Sequence, residues 1–211
     1  MGRKGRTRQL IVVIQCTATK RPGAGHLLTD TGKPVKFVSH PEFAPADPSC
    51  EYARPDDRGS RGTWREVLVS YNKQPAHNPS GLFPAYQLYE NGIYERLVHR
   101  CGISDVYILS AGWGLIRSDF LTPYYDITFS PAAEPYKRRT RADKYDDFRM
   151  LSGDVTDEIV FVGGKDYLAL FVNLTSHISS ERVVFFNSEV RPALQGITLK
   201  HFQTRRRTNW H

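Results

Sequence analysis

The sequence predicts a single α/β domain with a mostly parallel central sheet flanked by helices. Short apolar runs have the β-branched and aromatic character of buried strands, and segments with helical periodicity separate most of them. The 211 residues suffice for one sizeable core, and we find no internal repeat and no second core. We therefore expect one domain over residues 10–211 behind a basic leader at 1–9. The predicted strands cover residues 10–14, 106–109, 158–162, 182–186 and 197–202.

The first strand is expected to end in a long segment without regular structure. Prolines and glycines interrupt residues 21–62, which predicts an irregular insertion that acts as a lid over a site. Thr63 and Glu66 then match a capping box, so a helix is expected to begin at Trp64.

The later helices are predicted from apolar spacing and from their stop signals. A long helix is expected over residues 84–100, because four apolar side chains form one stripe and Gly102 follows as a stop. A modest helix is expected from the basic cluster at 137 to about 151, and another over 166–177.

The charge of the chain indicates its class of partner. The formal net charge is +7, which favours a polyanion, with nucleic acid ahead of a membrane surface. No apolar run approaches the length of a membrane span. The three cysteines form no CxxC pair, which predicts a reduced, cytoplasmic setting without structural zinc. No histidine cluster has ligand spacing, so we expect neither a metal nor another cofactor.

The stretch from residue 105 to 130 carries the strongest signal of a binding site. A buried strand ends there in the small residues at 110–112, and ligands bind where strands of α/β sheets end. Aromatic and ionisable side chains then crowd the following loop. The candidates from this stretch are Ser110, Gly112, Trp113, Arg117, Asp119, Tyr124, Tyr125 and Asp126.

Two other strand ends carry groups suited to an anion or a polar base edge. Cys16, Thr17 and Lys20 directly follow the first strand. Gly164 and Lys165 precede a helix, whose N-terminal amides favour negative charge.

Basic clusters supply further candidates for phosphate contacts. Arg138 and Arg139 follow the central stretch, and Arg205, Arg206 and Arg207 lie near the end of the chain. An ordinary solvated surface is the alternative interpretation of the first cluster.

With these motifs in place, the chain resembles the YaaA-like group and the small bacterial and phage domains related to it. That group carries a strand followed by C-[ST]-x-[ST]-K, an A-x-x-L-Y helix, the signature S-[AG]-x-[YW]-G-L-[LI]-R followed by an acidic residue and P-Y, and a late G-K-x-Y. The matches occur in order over most of the chain: Cys16, Thr17, Thr19, Lys20, Ala85, Leu88, Tyr89, Ser110, Gly114, Leu115, Arg117, Asp119, Pro123, Tyr124, Asp126, Gly164, Lys165 and Tyr167.

The resemblance implies a DNA-binding protein related to base-excising DNA glycosylases, with a three-layer arrangement like that of uracil-DNA glycosylases. Some similar proteins act in anti-phage defence by removing modified bases from viral DNA. The chain departs from the pattern twice: the spacing from Arg117 to Pro123 is one residue shorter, and an extra tyrosine precedes Asp126. Asp119 and Asp126 therefore both remain candidates for the acidic position.

Base excision requires an everted nucleotide, aromatic surfaces that hold it and a carboxylate near the sugar. We prefer Asp126 as the catalytic carboxylate, because its aromatic neighbours lower the local dielectric constant. Trp113, Tyr124 and Tyr125 are the expected stacking surfaces. In an alternative mechanism, Lys20 is the Schiff-base nucleophile of a lyase-type glycosylase. Two other classes stay open: a hydrolase or transferase acting on free nucleosides or nucleotides, and a noncatalytic DNA-binding stress protein.

Overall fold

The computed structural model describes residues 10–186 and 191–202. The predicted basic leader and the arginines at 205–207 lie outside this range. Fourteen strands and four α-helices form within the described residues. The strands are β1 (Leu10–Gln15), β2 (Val35–Val38), β3 (Glu51–Ala53), β4 (Arg58–Gly59), β5 (Gly62–Thr63), β6 (Phe83–Pro84), β7 (Val106–Ser110), β8 (Gly114–Arg117), β9 (Leu121–Thr122), β10 (Tyr125–Asp126), β11 (Phe148–Arg149), β12 (Glu158–Val162), β13 (Arg182–Phe186) and β14 (Thr198–His201). The helices are α1 (Trp64–Tyr71), α2 (Ala85–Leu88), α3 (Ile93–Cys101) and α4 (Lys165–Leu174).

The central sheet has seven strands in the order β11-β8-β7-β1-β12-β13-β14. The five strands from β7 to β14 run parallel, whereas β8 pairs antiparallel with β7 and carries β11 at its other edge. Strand β1 lies inside the sheet, and Val13 and Phe161 in its neighbour β12 are fully buried. The predicted α/β class with a mostly parallel sheet is confirmed.

The predicted starts of two helices, α1 and α4, are confirmed to within one residue. Thr63 Oγ1 accepts a hydrogen bond from the Glu66 amide at 3.2 Å, and Glu66 Oε2 accepts one from the Thr63 amide at 2.7 Å. This capping box starts α1 at Trp64, as expected. Helix α4 begins one residue before the predicted start and ends three residues before the predicted end.

The single helix expected over residues 84–100 is wrong, because the chain breaks into α2 and α3. Tyr89 is extended (φ −99°, ψ 143°) and forms a β-bridge with Lys20. Its ring is completely buried, and its hydroxyl lies 2.9 Å from that of Tyr125. Burial of this tyrosine in the core outweighs the helical periodicity around it.

The helix expected from residue 137 to 151 is also wrong. The segment folds as turns and ends in the short edge strand β11. Arg139 and Asp147 form a buried ion pair inside the domain rather than lying on a solvated helical face. Two charged residues that point inward cannot occupy the outer face of a surface helix.

The insertion at 21–62 is more regular than expected. Strands β2 and β3 pair with β10 in a second parallel sheet, ordered β10-β2-β3, and β4 and β5 form a small hairpin. Val35 and Phe37 are fully buried in the same core as the central sheet. This part of the chain therefore packs on the core as a fixed part of the domain, whereas a lid was expected.

Residues 10–186 and 191–202 include no helix with the length and apolar character needed to cross a membrane.

Candidate functional site

The small sheet places one row of side chains in the core and the alternate row at a cavity. Strand β10 pairs with β2 so that Tyr125 is opposite Phe37, and β2 pairs with β3 so that Phe37 is opposite Ala53. All three side chains are buried in the core. Because side chains alternate across a strand, their neighbours must point to the other face.

That other face carries Lys36, Val38, Tyr52 and Asp126, and these side chains line a cavity of about 240 Å³. Asp126 lies opposite Val38, and Lys36 lies opposite Tyr52. This face of the cavity therefore combines a carboxylate from the predicted site stretch with three residues of the insertion. These residues lie far apart in the sequence, and the register of the small sheet brings them together.

Aromatic rings form the remaining walls of the cavity. His26, Tyr124 and Tyr136 complete its lining. The His26 and Tyr124 rings lie 5.4 Å apart between centroids, and the Tyr52 and Tyr136 rings lie 6.1 Å apart. Flat rings on several sides suit a planar ligand, which gains dispersion and stacking contacts there.

The backbone fixes two of these rings. The Tyr124 amide donates to the Gly25 carbonyl at 2.8 Å, and His26 Nδ1 lies 3.0 Å from the Val35 carbonyl oxygen. A Cβ atom on Gly25 would lie 1.8 Å from the Ser80 carbonyl oxygen, so only glycine fits there. The approach of Gly25 to Ser80 thus helps to position Tyr124.

Lys137 holds the carboxylate of Asp126. Its ammonium lies 2.9 Å from Asp126 Oδ2 and 2.6 Å from Glu134 Oε2. Burial opposes the charged form of Lys137, but the two carboxylates outweigh burial and raise its pKa. Asp126 is about a quarter exposed and keeps contact with the cavity.

Lys20 lies beside the same strand but has a different environment. Its side chain is buried, and Nζ lies 4.1 Å from the centroid of the Tyr125 ring and 6.0 Å from that of Tyr124. Burial lowers the pKa of Lys20, and the charges of Cys16 and Asp126 oppose this shift without cancelling it. The ammonium is thus desolvated and near the candidate carboxylate.

A buried network of hydroxyl groups lies behind the cavity. Ser110 Oγ donates to the Tyr125 hydroxyl at 2.9 Å, and it accepts from the amides of Gly112 and Trp113. Burial raises the pKa of Tyr125, which remains a neutral phenol. This network anchors β10 to the end of β7.

Cys16 belongs to the same buried layer. Its Sγ lies 3.1 Å from the Tyr167 hydroxyl and accepts from the Ala111 amide at 3.4 Å. Burial raises the pKa of Tyr167 as well. The carboxyl ends of β1 and β7 and the first turn of α4 meet here.

Two buried arginines fix the turn between β7 and β8. Arg139 donates to the Ala111 carbonyl at 2.8 Å. Arg65 donates to the carbonyls of Gly112 at 3.0 Å and Trp113 at 3.1 Å. Every carbonyl of this turn therefore has a charged donor, so the turn is rigid.

The structure corrects three of the predicted contact residues. Trp113 and Tyr125 are fully buried, so their rings present no face to a base and serve the core instead. Arg139 is buried with Asp147, and its guanidinium is not available to phosphate. Tyr125 faces inward because β10 places it opposite Phe37, and the Trp113 ring packs against the same phenylalanine. Arg139 faces inward because its ion pair with Asp147 lies inside the domain.

Asp119 and Arg117 lie at the wrong end of the sheet for the candidate site. Strand β8 runs back along β7 and brings Arg117 opposite Tyr107, near the start of β7. Arg117 Nε donates to Asp119 Oδ1 at 2.9 Å on the surface. From the sequence we expected residues 110–126 to form one loop. The hairpin of β7 and β8 instead places Arg117 and Asp119 far from Ser110.

The other predicted site residues have varied surroundings. Thr17 is half-buried and bonds within its own turn, and Gly112 packs against the Tyr125 ring. Lys165 is exposed at the start of α4, and Arg138 is half-buried and donates to the Pro131 carbonyl. None of these four residues lines the cavity that holds Asp126.

Sequence reasoning missed most of the cavity. His26, Lys36, Tyr52 and Tyr136 were not among the candidates, and Lys137 was noted only as part of a basic cluster. The alternating pattern VKFV at residues 35–38 is the one signal that indicates a strand in the insertion. It does not reveal the partner strands.

Within the described ranges, no three side chains of the His, Cys, Asp or Glu type come together as a metal site would require. No protein-family model, no curated protein and no solved structure matches this chain.

Proposed function

We propose that this protein is a DNA glycosylase that hydrolyses the N-glycosidic bond of an everted, modified base. The observation that carries this proposal is the position of the Asp126 carboxylate in a cavity walled by three tyrosines and a histidine. Base-excising enzymes need both features, a planar pocket for the base and a carboxylate for the sugar.

The size and chemistry of the cavity suit a single base. Its volume of about 240 Å³ is below the range of about 300–1,000 Å³ that is typical of drug-sized ligands. Tyr124 and His26 offer one aromatic pair and Tyr52 and Tyr136 offer another. A base that stacks on these rings would bring its sugar to the mouth of the cavity, near Asp126.

Asp126 would act on the charge that develops at C1′. As the bond to the base lengthens, the sugar gains oxocarbenium character, and a carboxylate beside it lowers the barrier. A water molecule then adds its hydroxyl to C1′, and its proton goes to the departing base directly or through Asp126. Lys137 orients the carboxylate through the contact of 2.9 Å.

The charge of the protein is consistent with a DNA substrate. The net charge of +7 would attract the phosphate backbone, and Arg141, Lys144 and Lys165 are exposed cations of the described part. Arg138 follows Lys137 directly in the chain. The backbone of Arg138 forms a β-bridge with that of Thr128, two residues after Asp126. Phosphates that flank an everted nucleotide would meet Arg138 first.

A base-release assay with a matched pair of carboxylate variants tests the proposal. Genomic DNA from several phages with modified bases is incubated with the protein, and released bases are identified by mass spectrometry. Asp126→Asn should lower the rate of release by about 10²- to 10⁴-fold, the usual contribution of such a group. Asp119→Asn, which removes a carboxylate at the other end of the sheet, should leave the rate unchanged.

Three other outcomes would contradict the proposal. Equal activity of wild type and Asp126→Asn, with unaltered melting curves, would remove Asp126 from the mechanism. Release from free nucleosides but not from DNA would assign the cavity to nucleoside hydrolysis. Salt-sensitive DNA binding without release from any genome would indicate a noncatalytic binding protein.

A further inference from the structure

Lys20 is a buried cation that the mechanism of base release does not use. Its side chain is only 8% exposed. Among the described residues, no carboxylate oxygen lies within the ion-pair distance of 4.0 Å from Nζ. Burying an ammonium without an ionic partner costs free energy, and the ring of Tyr125 compensates only part of it. An apolar side chain would stabilise the fold more, so the lysine points to a function.

The surroundings hold Lys20 next to the cavity, although it is not one of the residues that line it. Its backbone forms a bridge with Tyr89, and the next amide, that of Arg21, donates to the Leu88 carbonyl at 2.8 Å. The ammonium rests on Tyr125, the neighbour of Asp126 in β10. It lies 6.0 Å from the centroid of the Tyr124 ring, which is a wall of the cavity.

Lys20 differs from the other two lysines near the cavity. Lys137 contacts two carboxylates, and Lys36 lies 2.9 Å from Asp47. Hydrogen bonding to Asp47 raises the pKa of Lys36, and the carboxylates raise that of Lys137, so both amines stay protonated. Burial shifts the pKa of Lys20 in the opposite direction. Of these three amines, Lys20 is the one whose neutral, nucleophilic form is favoured by its surroundings.

We propose that Lys20 forms a covalent imine with the C1′ aldehyde of an abasic deoxyribose. Nζ attacks the aldehyde carbon, the new N–C bond pushes the carbonyl electrons onto oxygen, and a proton passes from the nitrogen to that oxygen. The carbinolamine then takes up one proton from solution, loses its hydroxyl group as water and leaves an iminium ion. In sum, one aldehyde, one neutral amine and one proton give one iminium ion and one water.

The natural source of the aldehyde rests on the proposed function, since base release leaves an abasic sugar at the same cavity. The imine would retain that sugar until water hydrolyses it. Asp126 lies close enough for its negative charge to interact with Lys20 and would stabilise the iminium ion in the same way. The two residues would thus act in succession on one sugar carbon.

Reductive trapping on abasic DNA tests the imine without requiring base release. The DNA is prepared with an abasic site, the protein is added with sodium cyanoborohydride, and covalent complexes are counted on a denaturing gel. Hydride reduces the iminium ion to a stable secondary amine. We expect efficient trapping by wild type, at least a tenfold loss in Lys20→Arg and no change in Lys33→Arg, which alters an exposed lysine.

Peptide mapping of the trapped complex identifies the amine. The adduct should lie on Lys20, and the trapping rate should rise with pH through a midpoint below the ordinary lysine value of 10.5. An adduct on Lys36, on Lys137 or on the N-terminal amine would overturn the inference. So would unchanged trapping in a Lys20→Arg variant whose melting curve matches wild type.

The outcomes separate the two proposals. Base release without trapping would overturn the imine and leave the glycosylase. Trapping at Lys20 without base release from any modified DNA would retain the imine and overturn the glycosylase, since the abasic site is supplied ready-made.

Discussion

Replacing Arg139 by methionine tests whether this residue serves the fold, as its burial indicates, or contacts phosphate, as the sequence suggested. Its guanidinium donates to Asp147 at 3.0 and 2.6 Å and to the Ala111 carbonyl at 2.8 Å. Both charged side chains are 5% exposed. Methionine keeps much of the volume but leaves Asp147 in the interior with only Arg65, at 3.9 Å.

The expected loss follows from the cost of a buried, poorly compensated charge. Removing one partner of a buried ion pair typically costs about 3–5 kcal/mol. The total stability of a domain is about 5–15 kcal/mol, so this loss is a large share of it. For a chain of this size, about 2–4 °C per kcal/mol gives a fall in Tm of roughly 6–20 °C.

Urea unfolding followed by tryptophan fluorescence measures the effect, since Trp64 and Trp113 are both buried. Arg138→Met is the matched control. It removes the neighbouring, half-buried arginine and should change the free energy of unfolding by only about 0.5 kcal/mol.

A double variant separates charge from packing. Asp147→Leu removes the stranded carboxylate, while Arg65 keeps its ion pair with Asp56. The double variant should therefore lose less stability than the sum of the single changes, with a coupling energy of about 1–3 kcal/mol. If Arg139→Met costs no more than Arg138→Met, or if the coupling is absent, the assignment of Arg139 to the fold is refuted.

Two further changes test how the site and the first helix are held. Gly25→Ala should destabilise the protein by about 1–3 kcal/mol or more and disturb Tyr124, because its Cβ would lie 1.8 Å from the Ser80 carbonyl oxygen; Gly59→Ala, which has open space around it, should be close to neutral in thermal melts. Hydrogen bonds from the backbone and hydroxyl of Thr63 lower the pKa of Glu66 below its ordinary value of 4.5, so this carboxylate stabilises the fold above that value and loses its contribution as the pH falls through the lowered pKa. Glu66→Gln should therefore melt below wild type at pH 7 and converge with it toward pH 3; an equal difference at both pH values would contradict this reasoning.

The predictions that survive are those in which local chemistry and burial agree. The run LIVVI is apolar throughout, and it became β1, a strand inside a parallel sheet. The capping box at Thr63 and Glu66 starts α1, because those two bonds involve only residues three apart. Asp126 and Tyr124, two of the site candidates, line one cavity, and their role in a site stays a prediction.

The predictions that failed depend on which distant segment a residue meets. Helical spacing continues through Tyr89, yet its burial beside Tyr125 breaks the helix. Arg139 was expected on the surface, but its guanidinium is buried and donates to the Ala111 carbonyl, 28 residues away in the chain. In each case a contact between remote residues outweighs the local preference.

The sequence by itself therefore determined the fold class, the five parallel strands of the central sheet and the capped start of α1. Only the tertiary structure decided that β8 runs back along β7, which places Asp119 away from the cavity, and that β10 pairs with β2. The physical reason is register: pairing β10 with β2, and β2 with β3, brings Lys36, Tyr52 and Asp126 to one face. No local pattern in the chain encodes that alignment.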